Sequence, residues 1–471
     1  MIKTKYLIYL AFIIAFAFAS SFTAKNNKDE TNVFFKIDTL ASNLTVPWQI
    51  SFLPDRTMLF TERPGQVRLY RNGKLKEKPV LSVNDIKAET KTGLLGMVIH
   101  PAFNKNHFIY IAHNYGKNNR LWLRVVRYEF KNDTLIHHKT LIEQIPAARN
   151  HTGCRLIFGP DRKLYISTGD ADQPILAQDL KTYNGKILRI NDDGSIPADN
   201  PFVKNDTAHK EIWSYGHRNP QGLTFEPVSK QFYATEHGPT GGDEVNIIEK
   251  GANYGWPVIH HQESKAGMKT PFLEYTPSIG PSEATFYRGN TFPQLKNNLL
   301  IACLRGESIL RIEIDKGKVR KQEVLLKKQY GRIRSIVVGP DGYLYISTSN
   351  FDMPESKGER PYDMILRLRP STKKNDQVAQ TITSNNKTTT TAGPAMMFKQ
   401  LCASCHGDKL QGSATVYSLV GGKFKHGADK QSIINNISNG IIDKGMPAWN
   451  GAISKKDIES LADYMLRVKN E

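Results

Sequence analysis

The chain has 471 residues, a formal net charge of +19 at pH 7 and an isoelectric point near 9.5. That length predicts more than one domain. Lys and Arg are spread along the whole chain instead of clustering with aromatic residues or on one helix, which excludes a nucleic-acid-binding role and indicates a solvated surface that can steer anionic partners.

The N-terminus has the pattern of an export signal. A basic start is followed by an apolar run from Tyr6 to Ala19, which is shorter than the roughly 20 residues of a membrane span, and Ala17-Phe18-Ala19 offers a small-x-small cleavage site. We predict that residues 1–19 are a signal peptide and that the protein is periplasmic or otherwise exported from a bacterium, without membrane association after cleavage. An uncleaved anchor is the alternative.

Residues 33–370 contain a sixfold repeat in which a turn with proline precedes a β-rich run. Strong copies begin at Pro54-Asp55, Pro160-Asp161 and Pro340-Asp341, and weaker copies begin at Pro101, Pro227 and Pro293. Each interval is long enough for a four-stranded sheet, so this region is predicted to be an all-β six-bladed β-propeller. An unrelated all-β array is the alternative.

Polar residues stand among glycines just before or after the predicted strands. They include His151, in Asn150-His151-Thr152-Gly153, and the pair Arg332 and Arg334, which alternation places on one face of a strand. Two guanidinium groups on one face repel each other unless an anion lies between them. The pattern predicts a pocket for a polyanionic ligand with an acid–base histidine nearby.

Five blocks in this region carry a family resemblance: Gly93-Leu94-Leu95-Gly96 with His100-Pro101, His151 with Arg155-Leu156 and Gly159-Pro160-Asp161, Gly216-His217-Arg218-Asn219-Pro220-Gln221-Gly222, His237-Gly238-Pro239 with Gly242-Asp243-Glu244, and Asn253-Tyr254-Gly255-Trp256-Pro257. In this order they resemble the soluble quinoprotein glucose/aldose sugar dehydrogenases. Those enzymes are six-bladed propellers that use pyrroloquinoline quinone (PQQ) and calcium.

The resemblance implies roles for individual residues. His151 matches the catalytic base, and Arg218 matches the residue that stabilises negative charge on the reduced quinone. The implied PQQ contacts are Asn219, Arg332, Arg334, Arg305 where the family has Lys, and Lys91 where the glucose dehydrogenases have Gln. The carbonyls of Gly238 and Pro239 are implied to hold the calcium at PQQ, and Glu244 and Tyr254 a second calcium. Asn150 precedes the histidine where some members have Asp, which indicates a broader sugar range.

Residues 371–394 are polar and nearly free of large apolar side chains, which predicts a flexible linker. Beyond them, Cys402-Ala403-Ser404-Cys405-His406 is the motif that attaches a c-type haem, with His406 as an iron ligand. Met446 is the candidate for the second iron ligand. A zinc site is the alternative, but no further Cys follows Cys405. Residues 395–471 resemble a small all-α class I cytochrome c.

Together these features predict an exported PQQ-dependent aldose dehydrogenase. It would oxidise the C1 hydroxyl of an aldose to a lactone and pass electrons through the haem to an external acceptor. Two alternatives stay open. The enzyme could act on another substrate, such as a sorbosone-like aldehyde or a sugar derivative, or the propeller could bind a sugar or protein without catalysis. The remaining cysteines, Cys154 and Cys303, are predicted to be buried thiols.

Overall fold

The computed structural model describes residues 33–239, 241–350, 363–372, 380–382, 394–407, 409–412, 417–422, 424–441, 446, 449 and 455–468. The predicted signal peptide and most of the predicted linker lie outside the described residues. None of the helices in the described part of the chain is long and apolar enough to cross a membrane.

The described strands form six antiparallel sheets, which confirms the six-bladed propeller. The first strand, β1 (Phe35–Leu44), belongs to the last blade. The first blade contains β2 (Pro47–Phe52), β3 (Met58–Glu62), β4 (Gln66–Arg71) and β5 (Lys74–Leu75), with β6 (Leu81–Ser82) paired to β4. The second blade contains β7 (Leu94–Ile99), β8 (Phe108–Lys117), β9 (Arg120–Lys131) and β10 (Thr134–Pro146). The third blade contains β11 (Leu156–Phe158), β12 (Leu164–Thr168), β13 (Lys186–Ile190) and β14 (Ile212–Tyr215).

The next three sheets continue the same up-and-down order. The fourth blade contains β15 (Pro220–Phe225), β16 (Phe232–Glu236), β17 (Asp243–Ile248) and β18 (Leu273–Tyr275). The fifth blade contains β19 (Pro281–Phe286), β20 (Leu299–Cys303), β21 (Ser308–Asp315) and β22 (Lys318–Leu325), and it is extended by β26 (Gln380–Ile382). The last blade contains β23 (Ile333–Val338), β24 (Leu344–Thr348) and β25 (Asp363–Pro370), to which β1 is added. A one-turn helix, Phe103–Asn106, and two 3₁₀ turns, Pro174–Gln178 and Pro293–Leu295, lie between strands.

The proline repeat marks the turn between the two innermost strands of each blade. In the third blade, Asp161 accepts hydrogen bonds from the backbone N–H of Lys163 (3.1 Å) and the hydroxyl of Tyr165 (3.0 Å). Asp341 makes the equivalent bonds to Tyr343 (3.1 Å) and Tyr345 (2.7 Å) in the last blade. The aspartate therefore closes the turn and fixes an aromatic residue of the next strand, which explains why the two residue types recur together.

The ring is closed by pairing the two ends of the propeller sequence. Strand β1 runs antiparallel to β25, with Phe35 opposite Pro370 and Leu44 opposite Asp363. Asp38 reinforces this seam, because its carboxylate accepts hydrogen bonds from Arg367 (2.9 Å) and Arg369 (2.6 Å). The hydrogen bonds of these guanidinium groups lower the pKa of Asp38 to about 2.

Asp38→Asn is expected to weaken this seam by about 1 kcal/mol, since the ion pairs are partly exposed to solvent. A carboxylate whose pKa is depressed in the folded state stabilises the protein above its unfolded pKa, near 4, and loses that contribution as the pH falls towards 2. Urea unfolding at pH 7 and at pH 3 measures this difference. The free energy of unfolding of the wild type should exceed that of the variant by less at pH 3 than at pH 7. An equal difference at both pH values would contradict stabilisation of the seam by the Asp38 carboxylate.

The first strands of the six blades surround the central axis, where β2, β7, β11, β15, β19 and β23 contact their neighbours. Polar groups fill part of this centre. Arg155 is fully buried, forms an ion pair with Glu283 (3.2 Å) and lies over the indole of Trp48, 4.2 Å from the ring centroid. All six strands begin at the same end of the ring. The loops that precede these strands therefore converge at that end of the ring, the cavity end.

The C-terminal part is helical, with helices at Pro394–Leu401, Ala403–His406, Lys430–Asn439 and Lys455–Val468, and a 3₁₀ turn at Val420–Gly422. The last helix buries one apolar face, made by Ile458, Leu461, Ala462 and Met465. They pack with Met397, Phe398, Leu410, Ile433, Ile437 and Trp449 into a separate apolar core. This region therefore has a core of its own, as a small helical domain requires.

Three residues of the predicted linker are part of the sheet structure. Gln380–Ile382 form β26, which pairs antiparallel with the outer strand β22, where Thr381 lies opposite Glu323. An exposed edge strand offers unpaired N–H and C=O groups, so even a polar segment can add to it. Composition alone did not reveal this contact, because it depends on an edge formed by residues far away in the sequence.

Candidate active site

A cavity of about 400 Å³ opens at the cavity end of the ring. The structure brings together in its wall all nine residues that were predicted to act in catalysis or to contact PQQ or its calcium. These residues are Lys91, His151, Arg218, Asn219, Gly238, Pro239, Arg305, Arg332 and Arg334. Eight of them come from six different connections between strands and Arg334 comes from β23, so their convergence is a consequence of the propeller fold and not of sequence proximity.

The loops that lead into the inner strands supply most of these side chains. Lys91 precedes β7, His151 precedes β11, Arg218 and Asn219 precede β15, and Arg332 precedes β23. Arg334 lies within β23 itself, and the other three residues lie in two turns at the same end of the ring. Gly238 and Pro239 connect β16 to β17, and Arg305 connects β20 to β21.

The cavity is strongly cationic. Six basic residues line it, namely Arg63, Lys91, Arg218, Arg305, Arg332 and Arg334. Arg218 is held by its Nη1, which donates to the carbonyl of His237 (3.0 Å), and its guanidinium lies 5.3 Å from the ring centroid of Trp256. Its Nε is buried and has no hydrogen-bond partner among the described residues, and burial lowers the pKa of Arg218. An anionic occupant would compensate this charge.

His151 is oriented by two carboxylates that the sequence analysis did not identify. Its Nδ1 lies 2.8 Å from Oδ1 of the fully buried Asp170 and 3.3 Å from Asp172. The other oxygen of Asp170 accepts a hydrogen bond from the indole of Trp256 (2.8 Å). Because a carboxylate only accepts hydrogen bonds, Nδ1 carries the hydrogen of the neutral imidazole and Nε2 is left as a proton acceptor.

Asp170 could have been suspected from its position. It follows Gly169 directly after strand β12, at the cavity end of a blade. Polar residues at this place face the central pocket, but several other aspartates follow strands in this chain, so the sequence offered no means of choosing among them.

Asp170→Asn is expected to lower the rate of sugar oxidation by about 10- to 100-fold, because an amide can donate to Nδ1 and favour the wrong tautomer of His151. Steady-state kinetics with an artificial dye as acceptor measures this effect. Asp172→Asn is the matched control, since Asp172 is more exposed and lies farther from Nδ1. Equal losses in both variants would contradict a special role for Asp170.

The predicted second calcium residues do not meet in one cavity. Glu244 lines a smaller cavity beside the first, and its carboxylate accepts a hydrogen bond from Asn246 (2.8 Å). Burial and the neighbouring Glu236 raise the pKa of Glu244 well above its usual range. Tyr254 is not among the residues lining that cavity; its hydroxyl donates to the carbonyl of Ile247 (2.5 Å) and its ring stacks on His217.

In the helical domain, Cys402 and Met446 both pack against the apolar core, and His406 is half-buried. Nδ1 of His406 is buried without a hydrogen-bond partner in the described part of the chain, and burial lowers the pKa of its imidazole. The side chain of Cys405 lies outside the described residues. The thiols of Cys154 and Cys303 are both free and buried, as predicted.

Comparison with known proteins identifies both parts of the chain. The family model for Glucose / Sorbosone dehydrogenase matches residues 44–357. The chain belongs to the glucose/sorbosone dehydrogenase family. A second model, for Cytochrome C oxidase, cbb3-type, subunit III, matches residues 389–465. The chain therefore combines a sugar dehydrogenase propeller with a cytochrome c domain.

The relatives include two proteins named as sugar dehydrogenases. The chain is 36% identical to Aldose sugar dehydrogenase YliI of Escherichia coli, over 71% of this chain and 92% of that protein. It is 29% identical to Quinoprotein glucose dehydrogenase B of Acinetobacter calcoaceticus, over 67% and 85%. The apo-form crystal structure of the Escherichia coli aldose sugar dehydrogenase superposes with a TM-score of 0.66 at 34% identity, covering 72% of this chain and all of that one.

Proposed function

We propose that this member of the glucose/sorbosone dehydrogenase family is an exported PQQ- and calcium-dependent aldose dehydrogenase. It oxidises the C1 hydroxyl of a cyclic aldose to a lactone and delivers the electrons to a c-type haem in its own C-terminal domain. The observation that carries this proposal is a single cavity that combines six cations with a histidine held on a buried carboxylate.

The residues of the cavity fit PQQ. The cofactor carries three carboxylates and an ortho-quinone, so it requires several cations, and Arg332 and Arg334 would hold a carboxylate. Arg218, whose buried Nε has no partner among the described residues, would face the quinone oxygen, with Asn219, Arg305 and Lys91 as further contacts. When bound, PQQ supplies the two-electron acceptor for the sugar.

His151 is the proposed catalytic base. Oxidation of an alcohol to a carbonyl requires removal of the hydroxyl proton, and Nε2 of His151 is available to accept it because Nδ1 is bound to Asp170. Arg218 would stabilise the negative charge that develops on the acceptor. These two side chains line the same cavity, so one bound substrate can contact both.

Two calcium sites complete the proposal. Gly238 and Pro239 line the cavity wall, and their carbonyl oxygens are proposed as calcium ligands because calcium prefers hard oxygen donors. The amide of Gly238 is fixed by Asp243, which accepts its hydrogen bond at 2.9 Å. Glu244 is proposed for the second calcium, with support from its acidic surroundings, whereas Tyr254 does not line the same cavity.

The haem would be attached by Cys402 and Cys405 and held at iron by His406 and Met446. A methionine ligand raises the reduction potential of a haem, which would favour accepting electrons from a reduced quinone. From there the electrons would pass to an external acceptor, such as another cytochrome or an oxidase. Export across the membrane fits this chemistry, since bacterial c-type haem is attached outside the cytoplasm.

A sorbosone-like aldehyde is the second candidate substrate, because the matched family model names both glucose and sorbosone. The loops around the cavity mouth would decide between them. An aldose panel that includes sorbosone separates the two by their relative kcat/KM.

The test is an optical spectrum of oxidised protein reconstituted with PQQ and calcium, recorded before and after addition of each sugar. The proposal predicts c-type haem bands that become reduced only when sugar and PQQ are both present. Dye reduction without haem reduction would contradict electron transfer to the haem but leave the sugar dehydrogenase assignment standing. Absence of both in the presence of the whole panel would contradict the dehydrogenase assignment.

A further inference from the structure

One acidic side chain lines the cationic cavity. Among the described lining residues, Glu307 is the only carboxylate. It lies in the turn between β20 and β21, two residues after Arg305. Nevertheless, Glu307 forms no ion pair with any described residue of the chain. Both carboxylate oxygens therefore remain available to a ligand that supplies O–H or N–H donors.

The backbone holds Glu307 firmly in this position. The turn is attached to neighbouring segments by three hydrogen bonds: Leu304 N–H to the carbonyl of Gly280 (2.8 Å), Gly306 N–H to Ile279 (2.7 Å), and Lys328 N–H to Glu307 (2.7 Å). Glu307 itself has a φ of 47°, in the left-handed region where glycine or asparagine is normally preferred. The turn therefore fixes the position of Glu307 at the cavity wall.

From these observations we infer that Glu307 binds the hydroxyl groups of the sugar and is a specificity-determining residue of this enzyme. The inference rests on the proposed function. A tricarboxylate cofactor would be repelled by a carboxylate, so Glu307 does not serve the cofactor. A neutral sugar presents neighbouring hydroxyls, and a carboxylate can accept one hydrogen bond from each of two such groups.

The charge of Glu307 also predicts a preference among sugars. Positively charged amino sugars should be favoured at this position, and uronic acids should be disfavoured, because a second carboxylate would face the first across the same space. Removal of the charge should therefore change the order of substrates as well as their affinity.

Glu307→Gln keeps the size of the side chain and removes its charge. We expect KM for glucose to rise by about 10- to 100-fold, since hydrogen bonds to charged groups are the strong ones, with kcat little changed. The ratio of kcat/KM for glucosamine over glucuronate should fall by about tenfold. PQQ affinity, measured by equilibrium dialysis without sugar, should be unchanged. Glu77→Gln, at an exposed glutamate away from the cavity, is the matched control.

An unchanged KM and substrate order in Glu307→Gln would overturn the inference, as would a parallel loss of PQQ or calcium affinity, which would make Glu307 a cofactor residue. If Glu307→Gln does not fold, Glu307→Asp keeps the charge but shortens the side chain, and it should raise KM without changing the glucosamine-to-glucuronate ratio. A wild-type enzyme that binds PQQ but oxidises no aldose would instead contradict the proposed function itself.

Discussion

Replacing His151 with glutamine is expected to lower the rate of sugar-dependent dye reduction by about 10²- to 10⁴-fold, the usual contribution of a positioned general base. Glutamine has a similar size and can still hydrogen-bond to Asp170, but it cannot take up a proton at neutral pH. PQQ affinity should be unchanged, because the cations that line the cavity remain in place. Dye-coupled kinetics and equilibrium dialysis with PQQ give the two readings.

His138→Gln is a suitable control, since His138 is exposed on the outer strand β10. It should leave both readings as in the wild type. If His151→Gln retained full activity, His151 would not be the base. The binding-module alternative would gain support if neither the wild type nor the variant oxidised any sugar.

The double variant Cys402→Ala/Cys405→Ala is expected to lose the covalent haem completely. The protein should then show no c-type bands, and sugar should no longer reduce any haem on the chain. Reduction of an artificial dye by sugar should persist, because the propeller has its own cores and its own cavity. Pyridine haemochrome spectra and dye-coupled assays measure the two properties separately.

Cys303→Ala provides the control, because Cys303 is a free, buried thiol within β20. It should retain the haem. The zinc alternative makes a different prediction: the wild type would contain zinc and show no haem bands, and the double variant would lose the metal. Loss of dye reduction together with the haem would show that the two domains depend on each other for folding.

Most of the fold could be predicted because its signals are local. The repeated Pro-Asp turn reports a short-range hydrogen-bond pattern, visible at Asp161 and Asp341, that occurs once per inner hairpin. Ring closure could not be predicted in this way, since Phe35 pairs with Pro370 across almost the entire propeller sequence. The addition of Gln380–Ile382 to β22 was missed for the same reason.

The site residues also divide into those that the local sequence revealed and those that depend on distant parts of the chain. Histidine and arginine in glycine-rich loops were conspicuous in the sequence, and the structure places His151, Arg218 and Arg332 in one cavity. Asp170 and Glu307 were missed. Asp170 matters because it is hydrogen-bonded to Nδ1 of His151. Glu307 matters because it lines the same cavity as six cations. Such relations arise only when separate blades are brought together.

The seam between β1 and β25 also determines where the chain enters and leaves the ring. Leu44 and Asp363 lie at the cavity end, where Asp363 accepts a hydrogen bond from Thr348, so Phe35 and Pro370 lie at the opposite end. Both covalent connections therefore depart from the side remote from the mouth. The mouth is thus left clear of both connections, and chain that continues beyond Pro370 must pass around the outside of the ring to reach it.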